Sequence, residues 1–242
     1  MPRYFIEVAY KGTAYAGFQV QQNANSVQEE IGKALQTYYR RSFELTGSSR
    51  TDAGVHALQN FFHFDAEEKI EDASYHLNAI LPPDIVIKSI YEVAVDAHSR
   101  FDATSREYHY FIYNTKDPFL ADRAFYFPYS CDMDKMQAAA KEIMNHQDFT
   151  SFSKRNTQVK TFNCTILESE WIISEGHFLY KVRANRFLRG MVKGLVGTML
   201  QMGRGKLSMD EFTNIILAKD CTRADFSVPS HGLFLVAVNY PD

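Results

Sequence analysis

Cysteine is scarce and unpaired in this chain of 242 residues: there are only Cys131, Cys164 and Cys221, far apart and odd in number. They form no disulfide framework and no close C-x-x-C ligand set, so a reducing compartment is the expected setting. No apolar stretch approaches the roughly 20 residues a membrane helix needs. Met1-Pro2-Arg3-Tyr4 runs straight into a strand-like segment, without the pattern of a signal peptide. A strong charge of either sign is also missing. The net charge of −3 argues against a globally basic protein but leaves local contact with nucleic acid open. Several chemical signatures are absent: there is no G-x-x-x-x-G-K-[ST], no G-x-S-x-G and no H-E-x-x-H. Gly203-Arg204-Gly205 lacks the strand-then-helix setting of a dinucleotide loop, and the histidines and cysteines show no zinc-ligand spacing. A reaction without cofactor or metal is favoured, or no reaction at all. With 45% hydrophobic and 23% charged residues, the chain can bury a full core and is expected to be globular, soluble and cytoplasmic.

The elements can be read from periodicity and punctuation. Arg3 to Tyr10 alternates as a strand, with Tyr4, Ile6 and Val8 on one side. Ser26-Val27-Gln28-Glu29 reads as a capping box, opening a helix with Val27, Ile31, Ala34, Leu35 and Tyr38 on one face. Strands at Phe43–Thr46 and Ala57–Phe64, a helix over Ala73–Ile80 and a strand over Ile85–Val93 follow. The first hundred residues therefore read β-α-β-β-α-β. A related order follows: a strand over Thr104–Tyr113, a helix over Met133–Met144 and a hairpin of Thr161–Ile173 with Phe178–Ala184. Helices over Asn185–Gln201 and Met209–Leu217 and a strand over Leu233–Val238 close the chain. The expectation is an α+β protein of two antiparallel-sheet halves, 1–98 and 99–242.

Three features stand out against this background. Between two strands lies Gly47-Ser48-Ser49-Arg50-Thr51-Asp52-Ala53-Gly54-Val55-His56. Its composition suits an ordinary turn, but a cation, a hydroxyl and a carboxylate in consecutive positions also suit a catalytic loop. From Lys181 to Lys206 there are seven basic residues and no acidic one. Read as a helix, this places Arg186, Arg189 and Lys193 on one stripe, and Gly190, Gly194 and Gly197 on another where a backbone or ligand comes close. The alternatives are a solvated basic face or a site for a polyanion such as a phosphate backbone. Finally, Tyr108, Tyr110 and Tyr113 lie near Phe101, Phe111 and Phe119. Core packing is the expected role of any one of them, and a tyrosine on an open sheet face can also stack under an unpaired base.

The segment from Ser49 to Ala57 resembles the G-R-T-D-A-G-V-H-A motif of the tRNA pseudouridine synthase A family. Tyr10-Lys11-Gly12-Thr13 with Gly17-Phe18-Gln19 is similar to the family's Y-D-G-T…G-W-Q segment. Arg100 to Tyr110, Asp148 to Phe152 and Phe187 to Gly197 match three further motifs in the family's order. The resemblance implies two ferredoxin-like halves with antiparallel sheets flanking a basic catalytic cleft, usually in a homodimer. It also implies isomerisation of uridine to pseudouridine at positions 38–40 of the tRNA anticodon stem-loop, with no cofactor and no metal. Carried over residue by residue, Asp52 is the catalytic aspartate and Arg50 orders the flipped nucleotide. Tyr108 stacks on the uracil and Lys193 is the basic partner of Asp52. Arg186, Arg189 and Lys206 are expected to hold RNA phosphates.

The sequence departs from the family pattern in four places. Ser49 replaces the motif glycine, Lys11 an aspartate and Phe18 a tryptophan, while Lys193-Gly194 replaces an Arg-Asn pair. Lysine lacks the planar fork of arginine. The departures bear on the RNA substrate more than on the reaction, so a divergent paralogue acting on another RNA is an alternative. A non-catalytic RNA-binding module is another. The intact Arg50-Thr51-Asp52 argues against the latter, since a carboxylate facing phosphates has no evident use in a pure binder. An aspartyl-nucleophile phosphatase is disfavoured because Gly54 stands where a D-x-D pattern needs its second aspartate.

Overall fold

The structure is a computed structural model and describes residues 1–155, 159–174 and 176–241. Its elements begin with β1 (Arg3–Tyr10), α1 (Val27–Tyr39), β2 (Thr46–Gly47), β3 (His56–Asp65), α2 (Ser74–Ile80) and β4 (Ile85–Val93). They continue with β5 (Ser105–Tyr113), β6 (Phe125–Tyr126), α3 (Met133–Glu142), β7 (Ile166–Ser174) and β8 (His177–Ala184). The last three are α4 (Met191–Gly203), α5 (Met209–Leu217) and β9 (Leu233–Asn239). This is the α+β composition read from the sequence. Among the described residues no helix is long and apolar enough to cross a membrane. Alongside the expected division into 1–98 and 99–242, the contacts group the chain into two compact units. One is Met1–Thr104 with the segment from Phe234 onward, and the other is Ser105–Leu233.

In the first unit β1 is the centre of an antiparallel ladder with β3 on one side and β4 on the other, and β2 pairs with β3. β9 joins β3 in parallel through His56–Phe234 and Ala57–Leu235. The inward face expected of β1 is realised, with Tyr4, Ile6 and Val8 at most 1% exposed, as are Val27, Ile31 and Leu35 of α1, while Phe5 on the opposite face is buried as well. Ser26 caps α1 by accepting from the Glu29 N–H at 3.3 Å. The Glu29 carboxylate instead pairs with Lys33 one turn on, at 2.9 Å. Tyr38, expected on the buried face, is exposed and stacks on His76 of α2 with centroids 5.6 Å apart.

The second unit carries an antiparallel sheet in the order β5-β8-β7, with β6 parallel to β5. Tyr110 and Tyr180 are fully buried, and the indole of Trp171 lies 5.0 Å from the Tyr180 ring. α3 packs on both β7 and α4. α4 is buried around most of its circumference, so it is an interior helix and not an amphipathic one with a solvated basic face.

That helix starts at Met191, six residues later than the periodicity predicts, and the expected stripe of Arg186, Arg189 and Lys193 therefore does not form. Two local interactions explain the difference. Asn185 stays engaged with Thr165, donating its N–H to the Thr165 carbonyl at 3.1 Å and accepting the Thr165 N–H on its side chain at 2.8 Å. Gly190 then sits at φ +74° as the N-cap, a conformation that breaks any helix arriving from upstream. The close approach expected along the glycines is real: the Asp225 carbonyl occupies the space a Cβ on Gly197 would need. Thr198 fixes that loop, donating to the Gly194 carbonyl at 2.7 Å and accepting from the Asp225 N–H at 3.0 Å.

Gly197→Ala should therefore destabilise by about 1–3 kcal/mol, because backbone cannot yield as a flexible side chain can. Gly32→Ala in α1 should act oppositely. A Cβ there meets nothing within 4 Å, and removing a helix-interior glycine gains about 0.5–1 kcal/mol. Thermal melting of the two variants checks both signs.

Candidate active site

The segment from Gly47 to Val55 links β2 to β3, tied to β3 at its start and closed on itself at its end. The Ser48 N–H donates to the Phe61 carbonyl at 2.8 Å, and the Val55 N–H to the Asp52 carbonyl at 3.1 Å. Asp52 itself bridges to Gly17, and the Phe18 N–H donates to the Thr51 carbonyl at 3.1 Å. The approach is close enough to require glycine. A Cβ on Gly12 would fall on the Val55 carbonyl, and Gly17 has φ +124° with the Thr51 carbonyl 3.1 Å from its missing Cβ. Two of the family-like motifs are thus one structure, the amino-terminal one forming the bed on which the Asp52 loop lies.

Beneath the loop is a buried polar cluster that the sequence reading did not single out. Asn60, fully buried on β3, donates to the Ser49 carbonyl at 2.9 Å and to the Tyr10 hydroxyl at 3.1 Å. Its side-chain oxygen accepts from the Ser48 hydroxyl at 2.8 Å and from the Phe61 N–H at 2.9 Å. Tyr10 continues to the Thr51 hydroxyl at 2.8 Å. His56 is also buried and accepts the Gly12 N–H on Nδ1 at 3.1 Å. The available signal was an amide in a strand otherwise rich in phenylalanine.

Above these contacts the loop is polar and accessible. Ser48, Ser49 and Thr51 are buried, Asp52 is half-buried and Arg50 is exposed. Thr51, immediately before the carboxylate, is thus held in place while Asp52 itself is part-exposed. A carboxylate at such a position can serve as a nucleophile or a base toward a bound substrate.

The remaining predicted site residues lie in the second unit. Tyr110 is core: it is fully buried and its hydroxyl donates to the Pro229 carbonyl at 2.6 Å. Tyr113 is 4% exposed. Tyr108 is half-buried, its ring edge-on to Phe187 with centroids 5.0 Å apart, so of the three tyrosines it alone retains accessible ring surface. Lys193, on the first turn of α4, is half-buried and donates to the Ser230 hydroxyl at 3.3 Å. Arg186 is half-buried and Arg189 exposed, both in the irregular segment before α4, and Lys206 is exposed beyond its end. The basic run is less cationic than its sequence. Lys181 and Arg183 of β8 both pair with Glu168 of β7, at 2.6 and 3.4 Å. The Lys181 hydrogen bond holds the Glu168 carboxyl below the usual carboxylate range.

Three of the departures from the family pattern, at positions 49, 18 and 194, are accommodated. Ser49 does not adopt positive φ, so the loop needs no glycine there. Phe18 is buried and stacks on Phe62 with ring centroids 4.5 Å apart, so its ring is part of the core. Gly194 lies where the Phe226 ring would meet a Cβ at 2.8 Å, so the larger asparagine would collide at this position.

The likeness extends over the whole chain. A family model described as tRNA pseudouridine synthase matches residues 6–102 and 139–241. The tRNA pseudouridine synthase A of Parabacteroides distasonis is 45% identical, covering 100% of this chain and 97% of its own length. That of Bacteroides thetaiotaomicron is also 45% identical, over 100% of this chain and 92% of its own length. The Staphylococcus aureus protein of the same name is 35% identical over 96% of this chain and 89% of its own length. With loop, bed and helix motifs falling inside these matched regions, the chain belongs to the tRNA pseudouridine synthase family.

Proposed function

We propose that this protein isomerises uridine to pseudouridine in tRNA, at positions 38–40 of the anticodon stem-loop, with Asp52 as the catalytic residue. The observation that carries the reading is the mounting of Asp52: a half-buried carboxylate on a loop whose Ser48, Ser49 and Thr51 are buried and hydrogen-bonded. The relatives' shared name, tRNA pseudouridine synthase A, supports both the reaction and the substrate.

The residue types suit the chemistry. Moving the sugar from N1 to C5 of uracil is redox-neutral. It breaks a glycosidic bond, turns the base and forms a carbon–carbon bond in one pocket. A carboxylate serves this by adding to the sugar, adding to the base or removing a sugar proton. The target base must leave its stack, and an accessible aromatic ring compensates for the stacking lost. Tyr108 takes that part, and Arg50 orders the extruded nucleotide. Lys193 supplies positive charge to the reacting group, and Arg186, Arg189 and Lys206 contact phosphates. Assembly as a homodimer and a cytoplasmic location belong to the same reading. The free thiols of Cys131, Cys164 and Cys221 suit a reducing compartment.

Pseudouridine has the mass of uridine, so the assay is chemical derivatisation or chromatography of tRNA incubated with the protein alone, followed by mapping of the modified position. Asp52→Asn should lower turnover by more than ~1,000-fold while leaving the tRNA dissociation constant within about threefold. Pseudouridine formed by a pure Asp52→Asn preparation at the parent rate would refute the assignment. Replacing Arg186 and Arg189 together by alanine should weaken tRNA binding broadly. It should also make the slope of log K against log salt shallower by roughly 1.4–1.8, the loss of two phosphate contacts. An unchanged salt slope would make these arginines bystanders.

A further inference from the structure

We propose that Asn60 is a positioning residue for the isomerisation, its buried carboxamide setting the loop geometry that presents Asp52. The inference rests on the reading of Asp52 as the catalytic residue and deepens it.

The orientation of the Asn60 amide is unambiguous. The Phe61 N–H can only donate and the Ser49 carbonyl can only accept, so the side-chain oxygen must face the first and the nitrogen the second. Both amide protons are then committed, to the Ser49 carbonyl and the Tyr10 hydroxyl. The oxygen accepts two bonds, from the Ser48 hydroxyl and the Phe61 N–H. The Tyr10 hydroxyl, held by Asn60, is in turn hydrogen-bonded to the Thr51 hydroxyl 2.8 Å away. One side chain therefore grips the loop on both sides of Arg50, directly at Ser48 and Ser49 and through Tyr10 at Thr51.

A turn that needed only stability would be served as well by apolar packing, because a buried polar cluster returns little net free energy. It does return direction. Each hydrogen bond weakens steeply away from its preferred angle, so a saturated cluster admits a single loop conformation. Asp52 follows Thr51 directly, and a displacement of about 1 Å at a reacting group can cost ~100-fold in rate. Asn60 itself is fully buried and has no atom available to a substrate. Its effect must reach the reaction through the loop.

The test is single-turnover pseudouridine formation in tRNA with the full chain, comparing the parent, Asn60→Asp, Tyr10→Phe and Asp52→Asn. Asn60→Asp keeps the shape but loses amide donors. Tyr10→Phe removes only the hydroxyl between Asn60 and Thr51 and leaves the ring against Phe18. The rate constant should fall by ~10-fold or more in Asn60→Asp and by severalfold in Tyr10→Phe, with full final extent and a tRNA dissociation constant within about threefold of the parent. A purely structural role would lower the melting temperature and the active fraction, hence the amplitude, and leave the rate constant of the folded molecules unchanged. That result in Tyr10→Phe would overturn the proposal even if Asn60→Asp failed to fold. Parent-like turnover in Asp52→Asn would refute the role of Asp52 itself, whereas an inactive Asp52→Asn beside parent-like rate constants in the other two would reject only the role of Asn60.

Discussion

The loop from Gly47 to Val55 lies against the segment from Gly12 to Phe18 more closely than side chains would allow, and most of the local architecture answers to that constraint. Glycine is needed at position 12 because the Val55 carbonyl fills the place of its Cβ, and at position 17 because its backbone is left-handed. Phe18 then turns inward, where it stacks on Phe62 of β3. From below, Asn60 and Tyr10 meet the same loop from β3 and β1, which are neighbours in the antiparallel ladder. A short irregular segment carrying a cation and a carboxylate is thus fixed to two central strands, a rigid mount for reacting groups.

The second unit solves a different problem in a related way. α4 is an interior helix, and its glycines let the Asp225–Phe226 segment run along it, with Thr198 as the hydrogen-bonding tie. Lys193-Gly194 makes sense in this setting as a unit: the glycine leaves room for Phe226, and the lysine keeps its charge half-exposed on the first turn. Arg186 and Arg189 sit on irregular backbone shaped by Asn185 and Gly190, so their directions are set by hydrogen bonds and not by helical phase.

Those details mark where the sequence was legible. β1, β4 and α5 match their expected spans to the residue, since their alternation or helical periodicity is uninterrupted between clear breakers. The Asp52 loop was found from its composition, and its family from the wording of its motifs. What escaped were features decided by distant partners. The strand expected at Phe43–Thr46 is only Thr46–Gly47, because Phe43 turns to pack edge-on against Phe64 at 4.7 Å. The strand expected from Thr161 starts at Ile166, since Asn163 instead bridges to Asp148. β9 pairs in parallel with β3 from the far end of the chain, a pairing no local pattern encodes. The early start expected for α4 came from reading Gly190 as an interior glycine when it is the cap. Asn60 was invisible as a functional residue because its partners are scattered over Tyr10, Ser48, Ser49 and Phe61.

Held by these hydrogen bonds, the Asp52 loop should be as rigid as the strands beneath it. Native-state hydrogen exchange of three backbone amides tests this directly: Ser48, bonded to the Phe61 carbonyl; Phe18, bonded to the Thr51 carbonyl; and Val55, bonded to the Asp52 carbonyl. If the loop is locked to β3, these amides should open only together with it, with protection within about tenfold of that of the β3 amides. Exchange of all three at rates close to those of an unstructured peptide, while β3 remains protected, would contradict the account.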